Sequence, residues 1–106
     1  MTRLSHLDLS GTQVTDAGLV HLTGLTKLSI LGLGHTRVTD AGLAHLTGLK
    51  HLEFLDLSQT AVTDAGLPQL AGLTDLKLLC VDATAVTKAG RLALQRTLPT
   101  VQIYPD

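Results

Sequence analysis

The sequence has almost no aromatic residues, with one Phe, one Tyr and no Trp among 106 residues. Since 44% of the chain is nevertheless hydrophobic, its core must be built from Leu, Val and Ala. Charged residues are balanced, with eight basic and nine acidic side chains and a formal net charge of −1. This balance argues against nucleic-acid or anionic-membrane partners, because both are bound by clustered Lys and Arg.

Cysteine is also scarce, because Cys80 stands alone and has no second cysteine for an internal disulfide. A single thiol fits a reducing compartment, so a cytoplasmic protein is expected. No imidazole is in register with Cys80, which is therefore expected to be unactivated. No apolar run approaches the roughly 18 residues of a membrane-spanning helix. Met1 to Arg3 lead directly into a repeated motif, so no signal peptide is expected.

What the chain does contain is a block of 24 residues written almost four times. Each block opens with L-x-x-L-x-L-x-x-T-x-V-T, with Val81 in the third leucine position of the fourth block. The first three blocks continue as D-A-G-L-x-x-L-x-G-L. So short a unit cannot bury its own apolar face, and its repetition indicates a solenoid of stacked units.

Each block is predicted to contain one short strand. Leu7 and Leu9 point to one side while the residues between them point to the other, a period of two that is typical of a strand. A longer path joins successive strands, which should therefore pair in parallel through right-handed crossovers. A final edge strand is expected to carry Val101 and Ile103, after a slip of the repeat frame before Leu98.

The second half of each block is predicted to form a short α- or 3₁₀-helix. Its leucines recur every third residue, as in Leu19 and Leu22, which places them on the face turned toward the strand. Either Thr15 or Asp16 can cap the first amides of this helix. The fourth block has a longer helix that is expected to end near Pro99.

Several residue types recur at fixed positions and favour a structural explanation. Glycines at the helix ends are expected in the left-handed conformation: Gly24, Gly48 and Gly72. A second glycine column indicates segments that approach too closely for a side chain: Gly18, Gly42, Gly66 and Gly90. A threonine column should satisfy backbone groups of its own and the neighbouring repeat at a buried bend: Thr12, Thr36, Thr60 and Thr84. Pro68 should delay the helix of the third block to Ala65 or Gly66.

These motifs resemble the leucine-rich repeat family over essentially the whole chain. V-T-D-A-G-L is similar to the subclass found in bacterial repeat proteins and in substrate-recognition subunits of ubiquitin ligases, which often has cysteine in the threonine column. The resemblance implies an α/β fold, a right-handed β/α solenoid. About five short parallel strands would lie on its concave side and short helices on its convex side. It also implies that proteins are recognised on the concave sheet.

We expect a single domain over residues 1–106. Its parts are a partial repeat (1–3), four repeats (4–27, 28–51, 52–75 and 76–97) and a C-terminal edge (98–106). Residues 1–3 align with the end of a repeat, so the first repeat is expected to lack a polar cap. Its exposed apolar flank predicts self-association of the isolated chain through the N-terminal end.

Outward side chains of the strands form the candidate binding surface. One column contains His6 followed by Ile30, Phe54 and Leu78. Because parallel strands lie about 4.8 Å apart, the last three form an apolar stripe about 10 Å long. Acidic residues lie beside this stripe: Asp8, Asp56 and Asp82. An exposed apolar stripe with a polar rim is typical of a protein interaction site.

Catalytic and metal sites are not expected. His6, Asp8 and Ser10 share one strand face, but alternate residues of a strand lie in a line about 7 Å apart and do not converge as a triad requires. His21 and His45 occupy one repeat position, yet no acidic or cysteine ligand lies in register with them.

The sequence therefore predicts a protein-binding module with no cofactor, no metal and no enzymatic activity, whose protein partner contacts the concave face. The alternative is structural. The chain would then be the C-terminal capping fragment of a longer array, or a consensus-like scaffold, with no binding activity of its own. Further blocks in phase upstream in the reading frame would favour the fragment.

Overall fold

The computed structural model describes residues 3–105, which form five strands alternating with short helices. The strands are β1 (His6–Asp8), β2 (Ile30–Gly32), β3 (Phe54–Asp56), β4 (Leu78–Cys80) and β5 (Gln102–Tyr104). Between them lie three 3₁₀ helices (Ala17–Leu22, Asp40–Leu46 and Leu67–Leu70) and one α-helix, α1 (Lys88–Thr97). The predicted solenoid of parallel strands and short helices is confirmed. No helix within the described range is long and apolar enough to cross a membrane.

The strands form one parallel sheet in chain order, and paired residues are 24 positions apart. Phe54 lies opposite Ile30 on one side and Leu78 on the other. The last strand keeps this register, since Gln102 lies opposite Leu78 and Ile103 lies opposite Leu79. The frame slip predicted before Leu98 therefore does not reach the final strand.

The core lies between the sheet and the helices and consists of aliphatic side chains. In the second repeat the leucines and valine of the motif are at most 1% exposed: Leu28, Leu31, Leu33, Val38, Leu43, Leu46 and Leu49. In the first repeat Leu19 and Leu22 are also buried, but four of the corresponding residues are only partly buried: Leu7, Leu9, Val14 and Leu25. Each repeat thus depends on both of its neighbours to bury its apolar side chains.

A left-handed residue follows each of the first four strands, and none follows the helices within residues 3–105. Positive φ angles occur at four positions spaced by 24 residues: Gly11 (75°), His35 (54°), Gln59 (54°) and Ala83 (57°). Gly11 is the only glycine with a positive φ among residues 3–105, so the prediction for Gly24, Gly48 and Gly72 was wrong. The helices end instead through 3₁₀ hydrogen bonds, such as that from Leu25 N to Leu22 O (2.9 Å), which need no left-handed residue.

The helix of the third repeat is short because of Pro68. It begins at Leu67, one residue beyond the predicted Gly66, and contains only four residues. The helix of the second repeat starts at Asp40 and has seven residues. A proline is tolerated only in the first turn, where its missing N–H has no intrahelical partner, so the helix must begin next to it. The predicted late start is confirmed.

Hydrogen bonds between Asp and Thr side chains connect successive repeats. The carboxylate of Asp40 accepts from the backbone amide (2.7 Å) and the hydroxyl (2.5 Å) of Thr63 in the next repeat. The hydroxyl of Thr63 in turn accepts from the amide of Ala65 at 3.2 Å. The same arrangement joins Asp16 to Thr39 and Asp64 to Thr87. Thr39 and Thr87 therefore cap the helices of their own repeats, while aspartate fixes each threonine from the preceding repeat.

This Asp–Thr connection explains the second glycine column. A Cβ atom at Gly66 would overlap the carboxylate of Asp40 and lie 3.0 Å from Cδ1 of Leu43. Gly42 faces Asp16 and Gly90 faces Asp64 in the same way. The prediction of a close approach between neighbouring segments is confirmed at these three glycines. The approaching group is a carboxylate of the preceding repeat.

The threonine column has a more local role than predicted. Each hydroxyl donates to the carbonyl three residues earlier in its own repeat: Thr12 to Leu9, Thr36 to Leu33, Thr60 to Leu57 and Thr84 to Val81. Thr60 is buried, Thr36 and Thr84 are half-buried, and Thr12 is exposed. The predicted buried ladder therefore holds for Thr60, and none of these four hydroxyls donates to a neighbouring repeat.

Thr60→Val is expected to destabilise the fold by about 1–2 kcal/mol, because the carbonyl of Leu57 loses its donor in a buried bend. Thr12→Val removes the same hydrogen bond at an exposed position, where water replaces the hydroxyl, and should cost less than about 0.5 kcal/mol. Urea denaturation of both variants measures the difference. Equal losses would contradict a contribution that depends on burial.

Candidate functional site

An apolar row crosses the outward face of the sheet, which we call the strand face. It consists of Ile30, Phe54 and Leu78, which lie side by side on β2, β3 and β4. Ile30 is 40% exposed, Phe54 is 42% exposed and Leu78 is half-buried. These residues face outward because the neighbouring Leu31, Leu55 and Leu79 occupy the core. The only Phe of the chain is thus on the surface.

A polar row runs beside it and contains two aspartates whose carboxylates are held in place. Asp8 accepts a hydrogen bond from the backbone amide of Ser10 at 3.0 Å. The hydroxyl and amide of Ser10 together hold the pKa of Asp8 below its usual 3.8, so this carboxyl is ionised at neutral pH. Asp56 accepts from the amide (2.9 Å) and the hydroxyl (2.7 Å) of Ser58.

Gly32 occupies the polar row between these two aspartates. A Cβ atom at this position would lie 2.5 Å from Oδ1 of Asp8 and 3.0 Å from Oγ of Ser10. The glycine therefore leaves room for the Asp8 carboxylate to lean over β2. The two rows line a groove with a volume of about 410 Å³ along the strand face.

The structure brings six of the seven residues predicted for the binding surface into this groove: His6, Asp8, Ile30, Phe54, Asp56 and Leu78. Asp82 is exposed and does not line the groove. It lies two residues beyond the end of β4, directly before Ala83, which has a positive φ.

Two outward-facing residues of β5 were not predicted from the sequence. Gln102 extends the apolar row beyond Leu78, and Tyr104 extends the polar row beyond Cys80. Tyr104 is 57% exposed, the largest value among the exposed large hydrophobic side chains of residues 3–105. Counting 24 residues onward from Leu78 and Cys80 would have located both.

Cys80 is the one thiol on the strand face and is half-buried. Burial raises its pKa above the usual 9.0, and the charges of Asp56 and Asp82 raise it further. The thiol is therefore protonated at neutral pH, which makes it a poor nucleophile. This agrees with the unactivated thiol expected from the sequence.

The histidines do not converge with other reactive groups in the described part of the chain. Between Arg3 and Pro105, no three His, Cys, Asp or Glu side chains lie close enough to hold a metal ion. On the helical side, His21 is exposed and His45 is half-buried. On β1 the carboxylate of Asp8 is bonded to Ser10, whereas a catalytic triad needs it on the imidazole.

Comparison with known proteins is consistent with this architecture. A family model described as Leucine Rich repeat matches residues 2–22 and 48–71. No curated protein matches the sequence significantly.

Among solved structures, internalin C2 from Listeria monocytogenes is 30% identical to this chain, with a TM-score of 0.78. The alignment covers 94% of this chain and 40% of that one, so the present chain spans about two fifths of the length of internalin C2. A second internalin (inlF) from the same organism is 20% identical, with a TM-score of 0.61, over 95% of this chain and 34% of that one.

The Mex67:Mtr2 subunits of Chaetomium are 19% identical with a TM-score of 0.74, over 92% of this chain and 77% of that one. At this identity the likeness, as for inlF, concerns the fold alone. The repeat motif, the family model and the solved structures agree. The chain is a leucine-rich repeat protein, structurally similar to internalins and other leucine-rich repeat proteins.

Proposed function

We propose that this chain is a protein-binding module whose partner docks on the strand face over Phe54. Leucine-rich repeat domains generally mediate protein–protein interactions and are typically non-catalytic. The observation that carries the proposal is the exposure of Phe54 (42%) between Ile30 and Leu78. Covering a continuous row of exposed apolar side chains stabilises a complex, by about 1.5–3 kcal/mol for a Phe side chain that passes from fully exposed to fully buried.

The fixed polar groups beside the apolar row support a specific interface. Asp8 and Asp56 are already held by Ser10 and Ser58, so little side-chain entropy is lost when a partner binds them. Interfaces typically combine an apolar centre that contains aromatic residues with a polar rim.

Phe54→Asp is expected to weaken partner binding by about 30-fold or more, the effect of losing an aromatic anchor at the centre of an interface. The fold should persist, because the side chain is outside the core. Proteins captured from a lysate by the wild-type chain would be purified and titrated against the variant by calorimetry. Unfolding by urea would be measured in parallel.

Val20→Asp is the matched control. Val20 is 47% exposed on the 3₁₀ helix of the first repeat, so the change introduces the same charge on the opposite side of the molecule. Partners that bind both variants and the wild type equally would contradict docking on the strand face. Unfolding of the Phe54 variant alone would place this side chain in the core.

A second candidate is structural, as part of a longer array with no binding activity of its own. It is favoured by the first repeat, where Leu7, Leu9 and Leu25 are only partly buried and can pack against a further apolar layer. The same flank would support self-association of the isolated chain. This candidate predicts that no protein captured by the chain loses binding in the Phe54→Asp variant.

A further inference from the structure

The groove on the strand face carries negative charge, and the one basic side chain among residues 3–105 that lines it is His6. Its charged lining residues are Asp8 and Asp56, and no Lys or Arg lines it. Neither aspartate forms an ion pair within residues 3–105, where the pairs are His51 with Asp75 and Lys77 with Glu53. The carboxylates therefore accept hydrogen bonds from uncharged groups of Ser10 and Ser58, which leave their negative charge uncompensated.

Cys80 lies next to Asp56 in the polar row, on β4. Its pKa is raised first by burial and then by the negative charges of Asp56 and Asp82. An uncompensated negative potential therefore extends along the polar row as far as β4. Such a potential attracts cations and repels acidic partners.

The geometry of the polar row defines where a cation fits. Asp8 and Asp56 lie on β1 and β3, on either side of Gly32, and the outer strands are about 10 Å apart. The carboxylate of Asp8 leans over Gly32, into the space that a side chain on β2 would fill. Ile30 and Phe54 lie immediately beside it in the apolar row. An extended aliphatic stem can pack on these two side chains while its charged end reaches the carboxylates.

We propose that the partner binds through a segment in which an apolar side chain adjoins a Lys or Arg. The apolar side chain covers Phe54, and the basic group contacts the carboxylates of the polar row, first that of Asp8 above Gly32. This inference rests on the proposed function and adds the chemistry of the partner. Arg is favoured over Lys, because its planar guanidinium donates two parallel hydrogen bonds to a carboxylate and stacks on an aromatic ring.

A random peptide library displayed on phage provides a defined probe for selection on the full chain. Selected peptides are expected to contain a basic residue next to an apolar one. Replacing that basic residue by Gln should weaken binding by about tenfold, the effect of losing a charge-assisted hydrogen bond. Fluorescence anisotropy with synthetic peptides measures both affinities, and binding of the basic peptide should weaken as salt is added.

Variants of the chain separate the charge from the apolar row. In the double variant Asp8→Asn, Asp56→Asn, the basic and Gln peptides should bind equally. Asp75→Asn is the matched control, because Asp75 is exposed and lies outside the groove. It should retain the tenfold preference. The salt dependence of wild-type binding also tests the contribution of charge, without any variant.

The outcomes distinguish this inference from the proposed function. Selected peptides that are apolar without a basic residue, and that lose binding with Phe54→Asp, would refute the inference and leave the function standing. Peptides bound equally by wild type and Phe54→Asp would refute both. A dimer of the chain that Phe54→Asp converts to a monomer would show a second copy in the groove and refute the peptide partner.

Discussion

Asp40→Ala should destabilise the fold by about 3 kcal/mol, although Asp40 is remote from the groove. Its half-buried carboxylate accepts from the amide of Thr63 at 2.7 Å and from the hydroxyl of Thr63 at 2.5 Å. Hydrogen bonds to a charged group contribute about 1.5–3 kcal/mol each, and partial exposure favours the lower value. Stability would be measured by urea denaturation with circular dichroism.

The matched control for this prediction is Asp75→Ala. Asp75 is exposed and its carboxylate lies 3.8 Å from His51, an ion pair that is expected to contribute less than about 0.5 kcal/mol. If both variants lose the same stability, the effect of Asp40→Ala would come from changed net charge and not from the bond between repeats.

The strand positions and their faces could be predicted from the sequence because both depend on simple periodicities. Alternation placed Leu31 in the core and Ile30 outside, and the 24-residue period placed Ile30 beside Phe54. The left-handed residues could not be predicted in the same way. His35 and Gln59 prefer a positive φ less strongly than glycine does. Their conformation is imposed by hydrogen bonds to the next repeat, such as that from His35 N to Ser58 O.

The Asp–Thr connection also could not be predicted from the sequence of a single repeat. Thr39 and Asp16 are both residues that cap helices, so the pattern left their roles open. Asp16 and Thr39 are 23 residues apart in sequence, and they meet only when successive repeats stack. The groove shows a similar limit, since the outward columns indicated Asp8 and Asp56 but not that the Asp8 carboxylate leans over Gly32.

Gly66→Ala should destabilise the fold by about 3 kcal/mol, through the same bond that Asp40→Ala removes. The added methyl group would overlap the Asp40 carboxylate and approach Leu43, so the carboxylate must leave Thr63 or the helix start must shift. Gly48→Ala is the matched control, since a Cβ there meets no atom within 4 Å. It should be neutral, or stabilising by about 0.5 kcal/mol through a less flexible unfolded chain.

A double-mutant cycle tests whether the two losses share one cause. Once Asp40→Ala has removed the carboxylate, only the approach to Leu43 remains, and Gly66→Ala should cost about 1 kcal/mol. The coupling between the two sites is therefore expected to be about 2 kcal/mol. If the two changes share a cause, Gly66→Ala must cost less when the carboxylate is absent. Additive losses would therefore mean that the glycine is required by the geometry of the helix and not by the Asp40 carboxylate.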